Sequence, residues 1–397
     1  MATVIPRIRE VHVRNYKSIA QAVVRLSDLT LLVGPNGSGK SNFVDALAFA
    51  QECLSGSVES ALRSRGGLDA VRHRSAAKAD AIGLRFVLDL GPGEVADYAF
   101  EIAGGEDGSF RIGRERCVVS QGGTEHDFSV ADGKFEKEIP GIRPVVEPDR
   151  LALYVASATE EFREVYEFLT SIGAYDIDPV KVGELQDPDP GTILSKTGSN
   201  AAWVLERLHL EHPGAFERTF TLLARVVPGV LGVEPIRFAQ FRIIGFVEEG
   251  ATSDESLDFH ASSMSEGTLR LLGLLLAVYQ PRTPSVLALE EPETAIHPGA
   301  AEVVLSVLLD AAKRTQVIVT THSPDILDDK GVGDEMIRVV TKVNGRTIIA
   351  PVAESSRRAI RERLYSPGEL LRSNELNADE SSPPRVANLF GTLGEAA

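Results

Sequence analysis

The chain has 397 residues, of which 43% are hydrophobic, so it can bury a sizeable core as two domains or one composite domain. Its 57 acidic and 41 basic residues give a net charge of −16, which repels nucleic acid and anionic membranes, so any contact with DNA requires a local basic patch. Two distant cysteines without a CxxC pattern argue against a disulfide framework, and no apolar run is long enough to span a bilayer, which predicts a cytoplasmic protein.

The first part of the chain has the alternating pattern of β-strands. "REVHVRNYKSI" alternates, "LTLLV" is apolar and leads into a glycine-rich loop, and "SNFVDALAFAQECL" has the composition of a helix. "AIGLRFVLDL", "DYAFEIAG" and "SFRIGRERCVVSQGG" alternate between Gly- and Asp-containing breaks, which predicts an antiparallel meander. We expect residues 1–145 to form an N-terminal lobe.

The pattern changes in the middle of the chain. "TEEFREVYEFLTSIG" and "NAAWVLERLHL" carry apolar residues at i, i+3, i+4 and i+7, which predicts a mainly helical insert at residues 146–260. At residues 261–350 helices alternate with the apolar strands "SVLALEE" and "TQVIVTTHS", which predicts a C-terminal lobe with a buried parallel sheet. We expect residues 351–397 to be an extension with a flexible end.

The stretch "GPNGSGKS" matches the phosphate-loop pattern GxxxxGK[ST] at every fixed position. The glycines let backbone N–H groups point at phosphates, Lys40 reaches the β and γ phosphates, and Ser41 can ligate Mg²⁺. The alternative is a glycine-rich turn, which the preceding strand and following helix disfavour. The candidate nucleotide-binding residues are Gly34, Pro35, Asn36, Gly37, Ser38, Gly39, Lys40, Ser41 and Asn42.

Paired carboxylates end a predicted buried strand in "SVLALEEPE". In a phosphate-loop fold, Glu290 can hold Mg²⁺ through water and Glu291 can deprotonate the water that attacks the γ-phosphate. The alternative is a solvated acidic helix start. His322, at the end of "VIVTTHSPD", can hydrogen-bond the γ-phosphate, or can be a surface residue. The candidate catalytic residues are therefore Glu291, His322 and Lys40, and the candidate metal ligands are Ser41 and Glu290.

The segment "SSMSEGTLR" begins a predicted helix. Ser263 and Glu266 have capping-box spacing, and Ser265 can equally be the N-cap. Gly267 in the first turn costs about 1 kcal/mol relative to alanine, which helix stability does not explain. A small residue there lets a phosphate approach the backbone, so Ser265, Glu266 and Gly267 are further candidate nucleotide contacts.

Two basic clusters are candidate contacts for DNA or an acidic partner, or ordinary salt-bridged surface. They are Arg63, Arg65, Arg72, His73 and Arg74, and the segment "RRAIRER" at Arg357 to Arg363.

These motifs, in this order, resemble the ABC-type ATPase heads of the RecF, SMC and OLD (overcoming lysogenization defect) proteins, and most closely the stand-alone predicted AAA family ATPases of that group. "VRNYKSI", "GSNAAWVLERL", "LALEEPETAIHP" and "LYSPGELLRSNEL" are similar to motifs of the group. The resemblance implies an α/β fold, a P-loop NTPase head of ABC type with the antiparallel β-meander subdomain and the helical insert.

The same resemblance assigns Walker A to Gly34–Ser41, the signature motif to Ser265–Gly267, Walker B to Glu290, the catalytic glutamate to Glu291 and the switch histidine to His322. It also implies ATP hydrolysis with Mg²⁺ in a head-to-tail homodimer. Such a dimer would act as a switch or clamp in DNA metabolism or anti-phage defence, with a separately encoded partner or effector nuclease and without a membrane.

Some features depart from that pattern or leave other functions open. Glu290 stands where transporter ATPases usually carry Asp, and neither Gln240 nor Gln121 is a good candidate for the glutamine loop. The alternatives are a nucleotide-binding subunit of a transporter and a nucleotide-gated scaffold with little hydrolysis. The helical insert and the "EEPE" and "VRNYKS" motifs argue against the transporter, and Glu291 argues against the scaffold.

Overall fold

The structure is a computed structural model that describes residues 5–74, 80–105, 109–139, 145–250, 255–296, 298–379 and 389–391. The chain divides into two compact units. Unit 1 comprises Met1–Ile172, Gly333–Tyr365 and Ser373–Ala397, and unit 2 comprises Gly173–Val332 and Ser366–Arg372. Among the residues described, no helix is both long and apolar enough to cross a membrane.

Strands and helices account for most of both units. The strands are β1 (Arg7–Tyr16), β2 (Ile19–Arg25), β3 (Leu29–Val33), β4 (Ile82–Gly91), β5 (Glu94–Gly104), β6 (Phe110–Gln121), β7 (Thr124–Ala131), β8 (Lys134–Lys137), β9 (Gly173–Tyr175), β10 (Val230–Phe238), β11 (Phe241–Glu249), β12 (Ser256–His260), β13 (Val286–Glu290), β14 (Gln316–Thr321), β15 (Ile337–Val343) and β16 (Arg346–Pro351). The helices are α1 (Lys40–Ser55), α2 (Val58–Arg63), α3 (Leu68–Val71), α4 (Leu153–Ala156), α5 (Glu160–Thr170), α6 (Pro179–Gly183), α7 (Ala201–Glu211), α8 (Pro213–Val226), α9 (Glu266–Tyr279), α10 (Ala301–Ala311), α11 (Pro324–Leu327), α12 (Glu354–Arg361) and α13 (Pro367–Arg372).

The larger sheet of unit 1 is the expected antiparallel meander. Its strand order is β2-β1-β4-β5-β6-β7-β8, with antiparallel pairing throughout. Leu84, Phe86 and Leu88 of β4 are fully buried, as the alternating sequence predicts for a strand with one face on the core. The strands β7 and β8 extend the meander beyond the segments that the sequence indicated.

Glu115 of β6 fixes the start of α4. Its carboxylate accepts hydrogen bonds from the backbone N–H groups of Ala152 (2.5 Å) and Leu153 (2.8 Å) and from the Tyr98 hydroxyl (2.9 Å). Burial raises the pKa of Glu115 to about 7, against the effect of these three donors, which favour the carboxylate. The contact therefore ties α4 to the meander.

A second sheet in unit 1 carries the phosphate loop. β3 pairs in parallel with β15, which forms an antiparallel hairpin with β16. Every residue of β3 is buried, as its continuous apolar sequence predicts. α1 begins at Lys40, and its apolar residues, Phe43, Leu47 and Phe49 among them, are buried. The predicted order of strand, glycine-rich loop and helix is confirmed.

Unit 2 contains the predicted parallel strands. β13 pairs in parallel with β9 and with β14, and Glu290 at the end of β13 is the register partner of Thr320 in β14. α9 and α10 lie where the sequence predicted helices and are largely buried. Because parallel strands end at the same edge, the residues that follow β13 and β14 come together there.

The segment expected to be a mainly helical insert, residues 146–260, is different in its last part. α5 and α7 lie where the apolar pattern predicted helices, and helical structure continues to Val226. From Val230 to His260, however, β10, β11 and β12 form an antiparallel sheet. The alternating segments "VLGVEPIRF" and "FRIIGFVEE" flank a two-residue turn, which is the sequence pattern of a β-hairpin.

Candidate active site

The glycines of the phosphate loop are required by close approaches within unit 1. A Cβ on Gly34 would collide with the backbone carbonyl of Val340 in β15, and one on Gly39 would collide with the side chain of Thr347 in β16. Gly37 and Gly39 also have positive φ angles of 75° and 111°, which side-chain-bearing residues rarely adopt. The loop conformation is therefore fixed by its backbone and by the β15–β16 hairpin.

Lys40 is held inside the loop. Its side-chain ammonium donates to the carbonyl oxygens of Gly34 (2.8 Å) and Pro35 (3.3 Å), and the residue is only 4% exposed. Ser41 is exposed at the start of α1. The positive charge of Lys40 and the positive end of the α1 dipole together make an anion site, which is what binding of the β and γ phosphates requires.

A chain of hydrogen bonds closes the loop from outside. The Asn42 amide donates to the Ser18 hydroxyl (2.6 Å), Ser18 and Thr347 hydroxyl oxygens lie 2.7 Å apart, and Thr347 donates to the carbonyl of Ser38 (2.7 Å). Because Thr347 gives its proton to Ser38, Ser18 must donate to Thr347. Ser18 lies in the motif "VRNYKSI", which the sequence analysis noted, whereas no sequence pattern indicated a role for Thr347.

Arg65 is bound to the helix that follows the phosphate loop. Its guanidinium is 8% exposed, donates to Asp45 (3.1 and 3.2 Å) and Glu52 (2.6 and 2.9 Å) and lies over the ring of Phe49. Lys17 pairs with the same Asp45. Of the interpretations left open for Arg65, its two ion pairs and burial fit the salt-bridged residue and not a contact with DNA.

The other basic residues divide into two groups. In α12, Arg357 and Arg361 pair with the buried Asp334, which fits a salt-bridged surface. A basic cleft of about 790 Å³ elsewhere in unit 1 is lined by residues that include Lys17, Arg72, Arg74, Lys342 and Arg346. His73 of this cleft is 7% exposed and has a pKa lowered by burial and by Arg346. The cleft adjoins the phosphate loop through Ser18, which also lines it.

The acidic residues of unit 2 follow β13. The backbone N–H of Glu291 donates to the carbonyl and the hydroxyl of Thr320 in β14, at 3.0 and 3.1 Å. Glu291 adopts a φ of 40°, a strained value for a residue with a side chain. Its carboxylate lies 3.3 Å from Nδ1 of His322, and the two side chains are 31% and 44% exposed. Glu291 and His322 thus meet at the carboxyl ends of adjacent strands.

Ser265, rather than Ser263, caps α9. The Ser265 hydroxyl accepts from the N–H of Thr268 (3.2 Å), while Ser263 lies in a preceding 3₁₀ turn. A Cβ on Gly267 would collide with the carbonyl oxygen of Ala295, in the loop that carries Glu291. This close approach is sufficient to explain why residue 267 is a glycine, without invoking a bound phosphate. Ser265 and Glu266 are exposed.

The two glutamines considered for the glutamine loop gain no role. Gln121 donates to Glu94 at the end of β6 (2.9 Å), and Gln240 lies in the β10–β11 turn. His297 lies outside the described residues. Within the described ranges, no group of three or more His, Cys, Asp or Glu side chains is arranged to hold a metal ion.

Two family models match this chain. Residues 7–90 match "AAA ATPase domain", and residues 178–328 match "AAA domain, putative AbiEii toxin, Type IV TA system". The DNA replication and repair protein RecF of Porphyromonas gingivalis is 51% identical over 49 residues, which is 12% of this chain and 14% of that protein. The two matched segments are thus similar to AAA ATPase domains, and a short segment is similar to RecF. The chromosome partition protein Smc of Methanococcus voltae is 44% identical over 43 residues, which is 11% of this chain and 4% of Smc.

The matched part of the chain thus spans a small fraction of the length of these curated relatives. Among solved structures, the SMC head domain from Thermotoga maritima aligns with a TM-score of 0.45 at 18% identity, covering 87% of this chain and 99% of that chain. The Smc head domain from Pyrococcus furiosus with an extended coiled coil, bound to the C-terminal domain of ScpA, aligns with a TM-score of 0.48 at 15% identity, covering 91% and 100%.

Proposed function

We propose that this RecF/SMC-like ATPase hydrolyses ATP to ADP and phosphate in a head-to-tail homodimer. The observation that carries hydrolysis is the Glu291–His322 pair, 3.3 Å apart and partly exposed where β13 and β14 end. A carboxylate that a second side chain orients has the geometry of a general base. The Lys40-containing phosphate loop supplies the anion site that ATP needs.

In the proposed reaction, the phosphate loop and Lys40 bind the β and γ phosphates. Glu291 accepts a proton from water as the water oxygen bonds to the γ-phosphorus, and the bond from that phosphorus to the bridging oxygen of ADP breaks. His322 orients the Glu291 carboxylate through the contact between them. Ser41 and Glu290 each offer a hard oxygen donor of the kind that Mg²⁺ takes, and the ion would neutralise charge on the phosphates.

The second subunit would supply Ser265 and Glu266. Both are exposed at the start of α9, so their side chains are available to another copy. The N-terminus of this 14-residue helix also carries partial positive charge, which suits a γ-phosphate. We propose that this end of α9 completes the ATP site of the partner subunit, so that dimerisation depends on ATP.

We further propose that the dimer acts as a switch or clamp in DNA metabolism or anti-phage defence, together with a separately encoded partner or effector nuclease. The names of the relatives, a DNA replication and repair protein and a chromosome partition protein, and the toxin–antitoxin description of one family model support this direction. The basic cleft also supports it, because a protein with a net charge of −16 needs such a local patch to approach DNA.

A mixing experiment tests the composite site. Lys40→Ala removes the phosphate contact and Ser265→Arg blocks the end of α9, so each variant alone should hydrolyse no ATP. In a mixed head-to-tail dimer, one of the two sites combines an intact Lys40 with an intact Ser265. An equal mixture should therefore recover about a quarter of the wild-type rate of phosphate release.

Recovery must disappear when one partner carries both substitutions, because no intact site can then form. A mixture that stays inactive, although both variants fold and Ser265→Arg still binds ATP, would contradict the head-to-tail dimer. A wild-type protein that binds ATP without turnover would instead favour the nucleotide-gated scaffold.

A further inference from the structure

The hydroxyl of Thr321 links two loops of unit 2. Thr321 is the last residue of β14 and is completely buried. Its hydroxyl donates to Oε1 of Glu293 and accepts a hydrogen bond from the backbone N–H of Ser323 (3.0 Å). Because a hydroxyl has one proton, the bond from Ser323 directs that proton toward Glu293. Thr321 thereby connects the loop after β13 to the loop after β14.

These two loops carry the proposed catalytic pair. His322 lies between Thr321 and Ser323, and Glu291 lies two residues before Glu293. The turn after β13 is held together by a hydrogen bond from the N–H of Thr294 to the carbonyl of Glu291 (3.0 Å). A change at the Thr321–Glu293 contact would therefore move Glu291 and His322 relative to each other.

Glu293 is costly for the stability of the fold. Its Oε2 atom is buried and has no hydrogen-bond partner among the residues described. Burial raises the pKa of Glu293, although the hydrogen bond from Thr321 acts in the opposite direction. An unsatisfied buried carboxylate oxygen destabilises a protein, so stability alone does not account for a carboxyl group here.

We propose that Glu293 and Thr321 are positioning residues that hold Glu291 and His322 in their catalytic arrangement. The proposal rests on the proposed hydrolysis at Glu291. Neither residue is assigned a contact with ATP; each acts through the geometry of the Glu291–His322 pair. This gives the last acid of "EEPE" a role that the phosphate loop, Walker B and signature motifs do not include.

The test compares variants that keep or remove this one contact. Thr321→Val preserves the side-chain shape but removes the hydroxyl, and Thr321→Ser restores it. Glu293→Ala removes the acceptor, whereas Glu293→Gln keeps an oxygen that can accept from Thr321. We expect Thr321→Val and Glu293→Ala to lower kcat by about 10- to 100-fold with little change in the KM for ATP. Thr321→Ser should remain near the wild-type kcat.

A second measurement does not depend on hydrolysis. The ring-nitrogen NMR shifts of His322, in protein with isotope-labelled histidine and assigned with His322→Gln, report its contact with Glu291. We expect them to change in Thr321→Val and to return in Thr321→Ser. Thermal unfolding of each variant shows whether it folds. If Thr321→Val does not fold, Glu293→Ala and Glu293→Gln provide the same comparison.

The outcomes separate this proposal from the proposed function. Wild-type kcat in the folded Thr321→Val and Glu293→Ala variants, or a Thr321→Ser variant as slow as Thr321→Val, would overturn the positioning role. If the wild-type protein hydrolyses no ATP, the proposed function fails. The NMR shifts of His322 then test the positioning role by themselves. Identical shifts in the wild type and in Thr321→Val would overturn the proposal.

Discussion

The phosphate loop of unit 1 and the acidic loop of unit 2 each follow a buried strand but are held in different ways. Gly34 and Gly39 pack against the β15–β16 hairpin, and Lys40 and Thr347 donate to the loop's backbone carbonyls, so the first loop is held through its backbone. In the second loop, Glu291 has a strained φ, and its N–H is held by the carbonyl and the hydroxyl of Thr320 in β14. We therefore expect a substitution in the loop of unit 1 to weaken phosphate binding, and a substitution in the loop of unit 2 to slow the proposed hydrolysis without weakening binding.

The largest expected effect tests that separation directly. Glu291→Gln should lower kcat by on the order of 1000-fold, because the amide cannot accept a proton from water, while ATP binding persists. Lys40→Ala should instead weaken ATP binding by at least about 100-fold, because a buried charge–phosphate contact is lost. Phosphate release measures the first effect, and calorimetric titration with ATP measures the second.

Matched controls are available on the surface. Glu302→Gln and Lys313→Ala change exposed residues of the same types and should leave both measurements unchanged. Glu291→Gln should also accumulate as an ATP-bound dimer on size exclusion. The comparison fails if Glu291→Gln turns over at the wild-type rate, or if Lys40→Ala binds ATP with the wild-type affinity.

A smaller effect is expected where α9 meets the acidic loop. Gly267→Ala would place a Cβ against the carbonyl of Ala295, so either α9 or the loop must shift, at a cost of about 1–3 kcal/mol of unfolding free energy. Because that loop carries Glu291, kcat should fall as well. Chemical denaturation measures the free energy of unfolding, and phosphate release measures kcat.

Gly214→Ala is the matching control. Gly214 lies at the start of α8, and a Cβ there meets no atom within 4 Å, so this substitution should be neutral or stabilising by less than about 1 kcal/mol. Equal stability of Gly267→Ala and Gly214→Ala would show that the Ala295 contact is not restrictive.

The smallest expected effect concerns the basic cleft beside the phosphate loop. Lys342 and Arg346 are exposed there, and replacing both with alanine should weaken binding of duplex DNA by about 10-fold. The slope of log affinity against log salt concentration should fall by roughly the amount expected for two lost phosphate contacts. Fluorescence anisotropy at several salt concentrations measures both. Lys313→Ala is again the control, and an unchanged salt slope in the double variant would exclude the cleft as the DNA contact.

Prediction from sequence succeeded where a few adjacent residues suffice. The alternation of β4, the apolar run of β3 and the i, i+3, i+4, i+7 spacing of α5 each depend on neighbours in the chain, and all three elements are present. The β10–β12 sheet was missed because a helical pattern was extended through alternating residues. Gly267 was noticed from its unfavourable position in a helix, but its reason, the carbonyl of Ala295, lies 28 residues further along the chain.

By itself, the sequence determined a strand, a phosphate loop and a helix around Lys40, and an acidic strand end at Glu290 and Glu291, because local spacing specifies backbone conformation and charge. Only the tertiary structure decided that Arg65 is bound to α1, that Thr347 closes the phosphate loop and that Thr321 reaches Glu293. Each of these contacts joins residues that are separated in sequence and meet through strand pairing or helix packing. Periodicity within one segment carries no information about such partners.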